Sequence, residues 1–104
     1  MISILNLSDV DSTNSYISRN VASLNSNVVV TTDCQTAGRG QRGNSWEAEP
    51  YKNLTFSILL RPQNFPAKRQ FAISQAVAIS VVNAVKELCN VDLKIKWPND
   101  IYFK

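Results

Sequence analysis

Two arginines stand among the three glycines of this chain, in the run Gly38-Arg39-Gly40-Gln41-Arg42-Gly43. Average usage would scatter about seven glycines over the turns of a domain this size. Glycine belongs where φ is positive or where backbone must approach a partner closely. A loop that takes every glycine and holds two fixed cations suits an anionic ligand, because backbone N–H groups and guanidinium forks match phosphate and carboxylate oxygens. A lone Gly-Arg-Gly would read as a solvated basic turn. Three further polar segments stand at element ends: Asp11-Ser12-Thr13-Asn14, Cys34-Gln35, and Lys96-Trp97-Pro98-Asn99-Asp100. Each has a structural reading of its own. Asp11 and Ser12 suit a helix cap, Gln35 could satisfy loop backbone, and Pro98-Asn99-Asp100 is a turn sequence.

Histidine is missing from the 104 residues. Ser-His-Asp and Cys-His catalysis and any His-ligated zinc site are thereby excluded within this chain. Its chemistry must rest on lysine, arginine, carboxylates and backbone N–H groups, with a bound Mg²⁺ as an optional further source of charge. The net charge of +3 is dispersed, unlike the clustered basic face of a duplex binder. The short apolar runs predict no membrane span. Cys34 and Cys89 form no C-x-x-C pair and read as free thiols of a cytoplasmic protein. An apolar fraction of 44% is enough for one core and one domain.

The elements that must position these segments follow from periodicity. Ile2 to Leu7 reads as a first strand, and the pattern predicts a helix over 13–24 with Tyr16, Ile17, Val21 and Leu24 as its apolar stripe. Val28 to Thr32 is a β-branched run typical of a buried strand. The stretch from Asp33 to Tyr51 has no periodicity and reads as a long functional loop anchored by Trp46 and Tyr51. In Asn53 to Leu60, alternation predicts a strand with Leu54, Phe56, Ile58 and Leu60 on its buried face. A helix is predicted over 69–89, its stripe formed by Phe71, Ala72, Gln75, Ala76, Ile79, Val82, Val85 and Leu88. Strands over 93–97 and from 101 complete an order β-α-β-β-α-β-β. That order predicts an α+β fold, a mixed or antiparallel sheet with helices mainly on one face.

Taken together, D-S-T-N, then Q-x-A-G-R-G-x-R-G-x-x-W, then K-W-P-N-D resemble the catalytic domain of biotin–protein ligases, from about Asp9 to Phe103. The resemblance implies a fold of the class II aminoacyl-tRNA-synthetase type. It implies an enzyme that activates biotin with ATP to biotinyl-5′-adenylate and passes biotin to a lysine of a biotin carboxyl carrier domain. Mg²⁺ would share the charge, and homodimer formation is compatible with the family. Carried over position by position, Ser12, Thr13, Asn14 and Gln35 look like ligands of the biotin ureido ring. Arg39, Gly40 and Gln41 resemble the loop that holds carboxylate and phosphate, with Arg39 and Arg42 in the catalytic role. Trp46 looks like an aromatic cover. Arg42, Trp46, Asn99 and Asp100 resemble the nucleotide side, with Asp100 facing the metal. Leu54, Phe56 and Ile58 suit walls for the thiophane ring and valeryl chain.

Two departures matter. Gln41 stands where relatives commonly carry an arginine, which could weaken retention of the adenylate. The family's catalytic lysine is expected beyond Lys104, so the chain reads as the N-terminal part of a larger ligase, with no helix-turn-helix module ahead of it. A lipoate or octanoate ligase or transferase is the nearest alternative, but it would need a different loop. A nucleic-acid-binding module built on Arg39 and Arg42 is the alternative from another class. It predicts repeated glycine-arginine motifs, and this chain has one copy.

Overall fold

The computed structural model describes residues 2–25, 27–40, 45–61, 66–97 and 100–103. They fall into two compact units, residues 1–62 and 63–104.

In the first unit, β1 (Ser3–Leu7) and β2 (Val28–Thr32) run parallel, with Leu5 opposite Val30. Parallel neighbours need a crossover, and α1 (Thr13–Asn20) supplies it. On the other side of β2 lies β5 (Thr55–Leu59), antiparallel, with Val30 opposite Ser57. The mixed sheet therefore has the order β1-β2-β5. Directly paired residues share a face, and the face holding Val28, Val30 and Thr32 carries α1 and is the dry one. Val30 is fully enclosed.

α1 is shorter than the periodicity suggested. Asn20 ends it: its Nδ2 donates back to the Tyr16 carbonyl, while Ser23 and Leu24 N–H groups donate to the Asn20 carbonyl. Arg61 donates through Nη2 to the Val21 carbonyl at 2.6 Å, a cation at the negative helix end. A larger correction concerns β5. The side expected to be buried is open, with Leu54 82%, Phe56 44%, Ile58 51% and Leu60 54% exposed. Thr55, Ser57 and Leu59 turn inward instead. The cause is polar: Thr13 and Asn14 at the start of α1 hydrogen-bond Ser57, which draws α1 onto that side.

The long loop is also more ordered than its aperiodicity implied. Its described part contains a two-stranded ribbon, β3 (Gly38–Arg39) against β4 (Ser45–Trp46). Glycine's conformational freedom is not what this ribbon uses at Gly38, whose φ lies outside the left-handed region. A Cβ there would stand 2.4 Å from the Trp46 carbonyl oxygen and 2.6 Å from Gln35 Nε2. Close approach is the requirement. Among the described non-glycine residues, the left-handed conformation is taken by Asn27, Tyr51 and Asn90.

The second unit opens with a 3-10 turn, Ala67–Arg69, leading into α2 (Gln70–Cys89). Asn90 closes α2 in the left-handed conformation, its N–H donating to the Lys86 carbonyl at 2.7 Å. Of the expected stripe, Ala72, Val82 and Val85 are half-buried, while Phe71 and Leu88 are exposed. Ala78 is the residue α2 buries fully. By length and composition Ala67–Cys89 is apolar enough to cross a bilayer, which the short apolar runs had not suggested. Gln70, Ser74, Gln75, Ser80 and Asn83 interrupt its apolar run throughout. Residues β6 (Leu93–Lys96) and β7 (Asp100–Phe103) form an antiparallel pair that α2 touches through β6.

Candidate functional site

The helix start carries the first group of site residues. Ser12 is the N-cap of α1: its backbone is extended and its Oγ accepts from the Ser15 N–H at 2.9 Å. The cap uses one lone pair and leaves the hydroxyl proton available. Asp11 does not reach a ligand position. It forms a fork with Arg19, at 2.7 and 3.0 Å, that clamps the helix to its entry segment. The Arg19 guanidinium, followed by the Ser12 backbone N–H, holds the Asp11 carboxyl down at about 2.

A backbone strap brings the second segment alongside. Val10 and Gln35 form a parallel bridge, Val10 N–H donates to Cys34, Thr36 N–H to Val10, and Ala37 N–H to the Asp11 carbonyl at 2.7 Å. Thr32 Oγ1 bonds both the carbonyl and the N–H of Cys34, fixing the turn out of β2. Gln35 is thereby aimed at α1, where its Oε1 accepts from the Thr13 N–H at 3.0 Å. That N–H is one of the unpaired donors at a helix start.

From β5 comes Ser57. Its Oγ lies 2.7 Å from Thr13 Oγ1 and donates to Asn14 Oδ1. Ser12 and Thr13 are each 3% exposed, and the described residues contain no buried side-chain N or O without a partner. Each buried polar side-chain atom described in the cluster thus has at least one partner, while Ser12 and Gln35 keep donor capacity to spare.

These groups enclose a cavity of about 190 Å³ lined by Ser12, Thr13, Asn14, Gln35, Arg39, Thr55, Phe56 and Ser57. Six residues singled out from sequence thus meet in one place: Ser12, Thr13, Asn14, Gln35, Arg39 and Phe56. A wider open cleft of about 680 Å³ shares Gln35, Thr55 and Phe56 with it and carries Trp46, Glu47, Glu49 and Lys52 on its walls. Trp46 is 63% exposed on the wall of that cleft. Leu54 borders the wide cleft, whereas Ile58 lines neither space. Gly40 follows directly on β3, half-buried. Gln41, Arg42 and Asn99 lie outside the described residues. Asp100 belongs to the second unit, where it is exposed and pairs with Lys96 across the β6–β7 ladder. Among the described residues no group of three or more metal-ligating side chains occurs.

Thr55 and Ser57 were missed by the sequence reading, which assigned them to a solvent face. Their signal was present in the alternation itself, as short hydroxyl side chains on every second position of a strand.

Comparison with known proteins follows the same lines. The biotin/lipoate A/B protein ligase family matches residues 7–104. The bifunctional ligase/repressor BirA of Escherichia coli K12 is 32% identical over 95 residues, which is 91% of this chain and 29% of that protein. Chloroplastic biotin–protein ligase 1 of Arabidopsis thaliana is 35% identical over 99 residues, covering 89% of this chain and 26% of its own. The chain spans less than a third of the length of these relatives. Among solved structures, the biotin protein ligase from Aquifex aeolicus in complex with biotin and ATP is similar at a TM-score of 0.82 and 31% identity. That likeness covers 100% of this chain and 43% of the Aquifex chain. The expected α+β architecture stands.

Proposed function

The chain belongs to the biotin/lipoate A/B protein ligase family, and from that premise we propose that it forms the biotin-gathering part of a biotin–protein ligase. The reaction is activation of the biotin carboxylate by ATP to biotinyl-5′-adenylate and pyrophosphate, then transfer of biotin to a lysine of a carrier domain. The observation that carries this reading is the meeting of Ser12, Thr13, Asn14, Gln35 and Arg39 in one cavity.

An acyl phosphate anhydride reacts with an amine unaided by a protein nucleophile, which suits a chain without histidine. The difficult step is the first, where a carboxylate must approach the negatively charged α-phosphate. Arg39 borders that cavity, and on this reading its guanidinium neutralises both anions; preorganised cations of this kind commonly contribute about 10²–10³ in rate. A second cation, Arg42, joins it by motif. Trp46 covers the ligand from the wide cleft, while Asn99 and Asp100 serve the nucleotide. Mg²⁺ requires few protein ligands when phosphates supply the rest, so Asp100 alone suffices to hold a nucleotide-borne ion, which would neutralise charge on the phosphates.

Lipoate ligation, the other activity in the family name, would place an apolar dithiolane where this cavity offers hydroxyls and amides. Calorimetry with biotin and with lipoate separates the two: biotin binds and lipoate does not. The activation role is tested by Arg39→Ala in the full-length ligase, since the chain without the lysine expected beyond Lys104 should turn over weakly or not at all. Losing a charge-assisted partner costs about 1.5–3 kcal/mol, so biotin-dependent pyrophosphate release should fall at least tenfold. Unchanged release would remove the loop from the chemistry.

A further inference from the structure

The hydroxyl of Ser57 has a single proton, and its destination decides what the neighbouring groups can offer a ligand. Ser57 Oγ donates to Asn14 Oδ1. It cannot then also donate to Thr13 Oγ1 at 2.7 Å. The direction of that second bond is therefore settled: Thr13 donates and Ser57 accepts. Thr13 has now spent its own proton and can present only lone pairs to the cavity. Around it the pattern is the reverse. Ser12 accepts from Ser15 N–H and keeps its proton. Gln35 accepts at Oε1 from the Thr13 N–H and keeps both Nε2 protons. The missing Cβ of Gly38 leaves room beside Nε2, since a methyl there would stand 2.6 Å away.

We infer that Ser57 is a positioning and specificity residue. By polarising the chain Thr13→Ser57→Asn14, it makes Thr13 an obligate acceptor for one ligand N–H, opposite donors on Ser12 and Gln35 for the ligand carbonyl. This inference rests on the proposed biotin reading, because a cyclic urea is the ligand whose N–H and C=O groups point in such different directions. Ser57 works through Thr13 and touches the chemistry only by way of it. Ser57→Ala would leave the Thr13 hydroxyl without its fixed acceptor. The Thr13 hydroxyl would then rotate freely and turn its proton toward the ligand in part of the population.

The test is calorimetry with three probes: biotin and its two isomeric mono-N-methyl derivatives, methylated at one ureido nitrogen or the other. In the unaltered protein, methylating the nitrogen that faces Thr13 should weaken binding strongly. Ser57→Ala should weaken biotin about tenfold, in keeping with one misdirected buried hydrogen bond, and should shrink the penalty for that one isomer. Ser57→Thr, which keeps the hydroxyl, should restore biotin binding to within about threefold, as expected when the bonding group is retained. Asn14→Leu is the second variant: it leaves β5 untouched but removes the acceptor for the Ser57 proton, so it must shrink the same penalty even if Ser57→Ala folds poorly. Equal loss of all three probes in both variants would mean a merely structural role and overturn the inference. Unchanged biotin affinity in Ser57→Ala would overturn it too, and would leave the biotin reading standing. Failure of the unaltered protein to bind biotin would sink the reading itself.

Discussion

Gly38 and Asp11 sit beside the cavity without binding anything, and each holds its neighbours to a narrow geometry. Adding a Cβ at Gly38 meets two obstacles of different stiffness: the far end of Gln35 can swing, whereas the Trp46 carbonyl is backbone at 2.4 Å. The ribbon must therefore open. Gly38→Ala should cost about 1–3 kcal/mol, as overpacking does, and should weaken biotin binding more than Arg39→Lys does; chemical denaturation and calorimetry check the two halves. Asp11 makes a pH-dependent contribution. Its carboxyl titrates at about 2 in the folded chain against an ordinary 3.8, with Arg19 as the leading cause. The stabilisation is thus present above the ordinary value and lost as pH falls through about 2. Both partners are substantially exposed, so salt should erode the effect. Stability measured from pH 5 down should fall more steeply below pH 4 for the unaltered chain than for Asp11→Asn. Parallel curves would deny the fork any role in stability.

Among elements, the turns divide according to which residue takes the left-handed conformation. Asparagine tolerates it, and Asn27 and Asn90 are ordinary substitutes for glycine. Tyr51 is not. It follows Pro50, and the Lys52 N–H reaches back 3.4 Å to the Glu49 carbonyl, so the turn has proline and a positive-φ residue where a type II turn has them. Tyr51→Gly should stabilise the first unit by roughly 1 kcal/mol, relief of left-handed strain outweighing the added chain entropy. Thermal melting checks the sign. The same element scale explains what could be read in advance. Ser12, Thr13 and Gln35 were legible as site residues through the resemblance of D-S-T-N and the glycine loop to a family motif, whereas pattern alone offered only a cap at Ser12 and loop satisfaction by Gln35. Ser57 was not. Alternation along β5 names two faces but cannot say which one a helix will cover, and the polar grip of Thr13 and Asn14 decided it. Likewise the β3–β4 ribbon has strands too short for any period to register.

For the molecule as a whole, binding and folding are one equilibrium. Every wall of the small cavity comes from the first unit, and all of α1, β3 and β5 must be in place before the walls face one another. Ligand should therefore stabilise that unit: at a free concentration of 100 times Kd, the gain is about 2.7 kcal/mol. Hydrogen exchange of β2, the central strand, should slow accordingly while α2 and the β6–β7 pair serve as internal reference. Equal slowing in both units would show that they unfold together. No change in β2 would mean that ligand binds an already rigid surface.

The bond between Thr13 and Ser57 spans 44 residues of chain. During synthesis, the motif at the start of α1 leaves the ribosome long before the strand that completes it, and domains form as their parts emerge. A nascent chain holding only Asp11 to Arg39 would expose donors and acceptors with no fixed direction among them. The small cavity built on this bond is therefore complete only once β5 is free of the exit tunnel.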